Sequence, residues 1–135
     1  MADAAPAPVA QTSEPVITPI AKFVAMLMHA RTSVHIMHLQ TRSFAQHMAL
    51  DELYKGIPDL VDDLVEACQG LYGIIETYPA GWTPPSRDAL AEVVAMAKLI
   101  KATRRQLPQE SELQNIIDEI AALFDTAIYK LRFLA

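Results

Sequence analysis

Four histidines fall within nineteen positions of this chain, at His29, His35, His38 and His47, and three carboxylates follow at metal-ligand spacing, Asp51, Asp62 and Glu66. His47 with Asp51 is an i, i+4 pair, as is Asp62 with Glu66. On a helix each pair shares one face and can converge on one ion. Mixed imidazole and carboxylate ligands suit Fe(II), two irons need at least one bridging carboxylate, and helical bundles supply such groups from facing rigid elements. The candidate metal ligands are therefore His35, His38, His47, Asp51, Asp62 and Glu66. No nucleophile with its base, phosphate loop or zinc knuckle is present. The Glu-x-x-His pairs of other di-iron bundles are absent as well.

The apolar pattern sets the elements that must carry these groups. Thr18 as N-cap and Pro19 in the first turn open a helix to about Gln40, with Ile20, Phe23, Val24, Leu27, Val34 and His38 at helical spacing. At 100° per residue His38 lies in the middle of that stripe, and His35 lies about 60° to its side. A second helix over roughly 44 to 76 has one long stripe from Leu50 to Ile75, and Gly56 and Pro58 predict a kink or break near 55 to 57. On it His47, Asp51, Asp62 and Glu66 occupy a band of about 100° beside the apolar stripe. The segment from Thr77 to Ser86 reads as loop. Ser86 then caps a helix over about 87 to 106, and a last helix over about 110 to 134 carries the cleanest stripe, Leu113 to Leu134. No run alternates with period two, so the expected fold is all-α, an antiparallel four-helix bundle over residues 20–135.

Residues 1–19 hold four of the nine prolines and mostly small side chains, which predicts a flexible or extended arm, one able to dock on a larger particle. Composition narrows the rest. A length of 135 residues allows one core. Sixteen acidic against eleven basic side chains give a net charge of −5, which argues against nucleic-acid binding by charge. Cys68 alone forms no internal disulfide and fits a reducing compartment, where it reads as a small core residue. No window of 18 uncharged apolar residues occurs and the start lacks a signal-peptide pattern, so a soluble, cytoplasmic protein without a membrane partner is expected.

The run of spacings from His35 to His47, Asp51, Asp62 and Glu66 resembles the ferroxidase pattern of the Dps mini-ferritins, in which a histidine closes the first helix and the remaining ligands lie on the second. The segment LFDTAIYKLRFLA also resembles the last helix of that family, so the likeness spans residues 20 to 134. It implies a ferritin-like fold and a homo-oligomer built from dimers, with twelve subunits in a hollow shell. A di-iron site would form at the two-fold interface from His35, His47 and Asp51 of one subunit and Asp62 and Glu66 of the next. There Fe(II) would be oxidised and the mineral stored. The chain departs from the family where Ile36 follows the first histidine in place of the usual Trp, and where the turn before the second helix lacks glycine. His38 is therefore a rival to His35. Residues 1–21 contain no Lys or Arg, so the DNA-coating role of some members is not implied.

The blocks HLQTRSFAQHMAL, EACQGLYG and ELQNIIDEI resemble a second group, short ferritin-like proteins of tailed bacteriophages. That likeness implies a non-enzymatic structural component of a virion, docked through the N-terminal arm. Two plainer readings accompany the metal site. His38 reads equally as a core histidine satisfied by one hydrogen bond, and the carboxylates as a solvated helix flank. Trp82 reads as the anchor of its loop, and Tyr54 and Tyr129 as bundle residues.

Overall fold

The computed structural model describes the backbone from Pro6 and side chains from Thr18 onward. Its helices are α1 (Pro6–Gln40), α2 (Phe44–Tyr72), α3 (Ala89–Thr103) and α4 (Ser111–Phe133), and the short 3-10 turn Arg104–Gln106 follows α3. No strand occurs among the described residues. The protein is an all-α four-helix bundle.

Contacts between specific residues fix the directions. His35 stacks on Tyr54 and His38 on His47, so α1 and α2 run antiparallel across the turn Thr41–Ser43. Lys130 pairs with Glu52, and Leu123 meets Gly56, so α4 runs antiparallel to α2. Lys101 pairs with Asp125 and Arg104 with Asp118, so α3 runs antiparallel to α4. It follows that α2 and α3 are parallel, and residues 73–88 must travel the length of the bundle between them. One long crossover of this kind is the connection found in ferritin-like folds.

The core lies among all four helices. Phe23, Leu27, Leu50, Leu53, Ile57, Leu64, Ile100, Leu113, Ile117 and Phe124 are essentially inaccessible to solvent, and Cys68 is buried with them as a free thiol. Burial raises the pKa of this thiol, and the Glu110 carboxylate adds to the effect.

Several boundaries differ from those the sequence predicts. Residues 1–5 of the expected arm lie outside the described residues, but from Pro6 the backbone is helical and continuous with α1. Pro6 and Pro8 fall in the first turn, where a proline costs no hydrogen bond, and α1 runs on through Pro15 and Pro19 as α2 runs through Pro58. Thr18 is therefore inside α1 rather than at its cap.

The second helix stops at Tyr72, where Gly73 takes a φ of 98° and its N–H bonds back to the carbonyl of Gln69. It runs through Pro58 without interruption. Gly56 permits close packing instead of marking a break, because a Cβ there would stand 2.9 Å from Leu123 Cδ2. Asp88, not Ser86, caps α3 by accepting from the Ala91 N–H at 3.0 Å, while the Ser86 hydroxyl accepts from Asp88 N.

Candidate functional site

At the top of the α1–α2 pair, the short turn forces the last two turns of α1 against the first turns of α2. The turn is closed by side chains: the Ser43 hydroxyl caps α2 by accepting from Gln46 N, and the Thr41 hydroxyl donates to Gln46 Oε1 at 2.9 Å. This brings His38 and His47 face to face, with ring centroids 3.7 Å apart. His38 Nδ1 lies 2.8 Å from the carbonyl oxygen of His47, and His47 Nδ1 lies 2.9 Å from that of His38.

A carbonyl oxygen only accepts, so both Nδ1 atoms carry the proton and both donate. In the neutral form each ring is thereby held in one tautomer with the lone pair on Nε2, the nitrogen left to take a proton or a metal. His38 is buried and its Nε2 is 3.9 Å from Asp51 Oδ1. His35 is half-buried at the edge, its ring stacked on that of Tyr54 at 4.0 Å. The sequence places one histidine in the core and one at its border, and the structure agrees.

Asp51 stands beside these rings, and Lys55 one turn on reaches it at 3.0 Å. That hydrogen bond, together with the charges of Lys55, His38 and His47, holds the Asp51 carboxyl below its usual range against a weaker opposing effect of burial. Sequence reasoning missed Lys55 as Asp51's partner, although the i, i+4 spacing was visible; it also missed Tyr54 as the shelf for His35.

Asp62 and Glu66 are exposed on the same outer face of α2. At about 1.5 Å per residue Asp62 is roughly 16 Å along the helix from Asp51, too far to share an ion with it. Among the described residues no three His, Cys, Asp or Glu side chains converge on one point. The structure thus gathers His35, His38, His47 and Asp51, and leaves Asp62 and Glu66 apart. His29 lies elsewhere, in a cleft between α1 and α3 roofed by the crossover. There the Trp82 indole N–H donates to the buried Ser33 hydroxyl at 2.9 Å and anchors the loop, as its sequence setting suggests.

Within one copy the donors fall into two separate sets. One set offers imidazole Nε2 lone pairs beside a carboxylate, and the other offers two exposed carboxylates one turn apart. The positions are mirrored: 47 and 66 share one midpoint on α2, between residues 56 and 57, and so do 51 and 62. Two copies of α2 packed antiparallel about that midpoint would set His47 opposite Glu66 and Asp51 opposite Asp62.

The fold and this cluster define the class, an all-α bundle of four helices with one long crossover and a histidine-rich joint between its first two helices. The chain belongs to a family of unknown function (DUF5856), whose model matches residues 38–131. It is also similar to an uncharacterized 14.6 kDa protein from the mobD-ri intergenic region of Enterobacteria phage T4, at 27% identity over 117 residues, which cover 82% of this chain and 85% of the phage protein. No solved structure matches. None of the described helices is long and apolar enough to cross a membrane.

Proposed function

We propose that this protein is a subunit of a ferritin-like assembly, similar in plan to the Dps mini-ferritins, that takes Fe(II) as substrate at a site completed between two copies. The observation that carries the reading is the mirrored placement along α2 of half-buried His47 and Asp51 against exposed Asp62 and Glu66. His35 or His38, with His47, would bind the ion through Nε2, the nitrogen that the carbonyl contacts leave free. Asp51, Asp62 and Glu66 would compensate the extra positive charge of the ferric product, which favours loss of an electron from bound Fe(II) to an external oxidant. Lys55 would have to release Asp51 for this, and its exposure makes that exchange inexpensive.

Complementation tests the reading. His47→Ala and the double variant Asp62→Ala/Glu66→Ala should each lose rapid Fe(II) oxidation while keeping helicity. After mixing and subunit exchange, about half of all interfaces pair the two variants and each of these regains one intact site, so activity should return in part. Oxidation at the wild-type rate in His47→Ala, or two inactive variants that never complement, would sink the proposal.

A second reading is favoured by the similarity to a phage protein: a non-enzymatic component of a virion, docked through residues 1–19. Deletion of residues 1–18 separates the two. An iron assembly keeps its oxidation rate, whereas a docked component loses its place on the particle.

A further inference from the structure

The α2–α4 ridge ends in a cluster of large apolar side chains that the bundle does not cover. Phe44 is 77% exposed, Phe133 69%, Leu134 55%, Tyr129 52% and Met48 42%. Their contiguity follows from the packing. Phe44, Met48 and Glu52 stand on successive turns of α2, and Glu52 is bonded to Lys130 of α4. Phe133 and Leu134 lie one turn beyond Lys130, toward Phe44, and the Tyr129 and Phe133 rings are 6.0 Å apart. At these exposures the five side chains present about 550 Å² of surface, at the upper end of what a monomer shows and roughly two thirds of one side of a standard protein interface.

The rim fits a like surface. Lys55 pairs with Asp51 and Lys130 with Glu52 within the chain, and Arg132 adds one positive charge, so this end carries little net charge although the whole chain carries −5. The uncompensated acids Asp59, Asp62, Asp63 and Glu66 lie on the far half of α2. Two copies meeting at this end keep those acids apart. We infer that the exposed apolar end formed by Phe44, Met48, Tyr129, Phe133 and Leu134 is an isologous contact between two copies of this chain. An isologous contact presents the same patch from both sides, so an apolar centre meets an apolar centre. The iron reading pairs α2 with α2 about residues 56–57 and uses Asp51, which this rim shares, so the residues varied below to break this contact are ones to which that reading gives no ligand role.

Sedimentation velocity on the full chain tests it, with wild type beside Phe133→Glu/Leu134→Glu and, independently, Phe44→Glu. These residues are exposed, so helicity and thermal midpoint should hold in all three. Wild type should associate with a dissociation constant tighter than about 10 μM. Both variants should lose that step by at least tenfold in affinity. Asp62→Ala/Glu66→Ala should keep it, which separates failure of this contact from failure of the iron site. Wild type remaining a monomer at about 100 μM, or variants that associate as tightly as wild type, would overturn the inference.

Discussion

The reciprocal histidine pair makes a quantitative prediction about what holds α1 to α2. Each ring donates to the main chain of the other residue, not to its ring, so replacing one histidine by alanine leaves the other's hydrogen bond in place. His38→Ala should cost about 3 kcal/mol, of which about 1 is the lost hydrogen bond and about 2 is the buried ring removed from its contacts with His47 and Tyr54. His47 is half-buried, so His47→Ala should cost about 1.5 to 2 kcal/mol. The double variant should cost less than the sum by about 1 kcal/mol, because the face-to-face contact at 3.7 Å is lost in either single variant and can be lost only once. Urea unfolding of the four proteins, followed by far-UV circular dichroism, supplies the cycle. Strict additivity, or a His38→Ala cost below about 1 kcal/mol, would show that the rings do not clamp the joint.

Two further outcomes follow from other parts of the fold. Tyr72 donates to Glu110 Oε2, and this bond, with burial and the Glu110 charge, pushes the Tyr72 pKa up to about 12. A raised folded-state pKa means stability fully present below the ordinary tyrosine range and lost as pH rises toward 12, so wild type should weaken above about pH 10 and Tyr72→Phe should lack that part of the alkaline loss, measured by thermal melts from neutral to alkaline pH. Gly56→Val should cost no more than about 1 kcal/mol, because the new Cβ, 2.9 Å from Leu123 Cδ2, displaces only the flexible end of that side chain while valine is the better helix former; pairing it with Leu123→Ala should recover part of the loss in denaturant titration, and a cost above about 3 kcal/mol would mean the Leu123 side chain cannot give way.

The elements were legible to different depths for identifiable reasons. The α4 stripe is an amphipathic pattern on a helix with one buried face, so periodicity alone finds its core residues Leu113, Ile117, Ile120 and Phe124. His38 was placed in the core and His35 at its border by the same arithmetic. Pro58 and Gly56 misled, because a proline signals the loss of one hydrogen bond without revealing whether neighbouring packing tolerates that loss. The extent of the crossover was hidden too. Residues 73–76 continue the apolar pattern of α2, and Ile75 is indeed buried, yet it is buried from a loop whose N–H bonds to the Gln69 side chain.

For the candidate site, sequence supplied the residue types and their mirrored spacing on α2, which are properties of a one-dimensional repeat of 3.6. It could not say which nitrogen of each histidine is free. That depends on the turn at 41–43, which brings two helix ends close enough for each ring to reach the other's carbonyl. Nor could it say that Asp51 is held by Lys55, or that Asp62 and Glu66 lie exposed and apart from the histidines. Local chemistry, helical periodicity and net charge were determined by the sequence by itself. The tautomers, the direction of each helix and the uncovered apolar end were decided only by tertiary structure, because each depends on which faces of separate helices pack together, and side chains distant in the chain meet only once the core has closed.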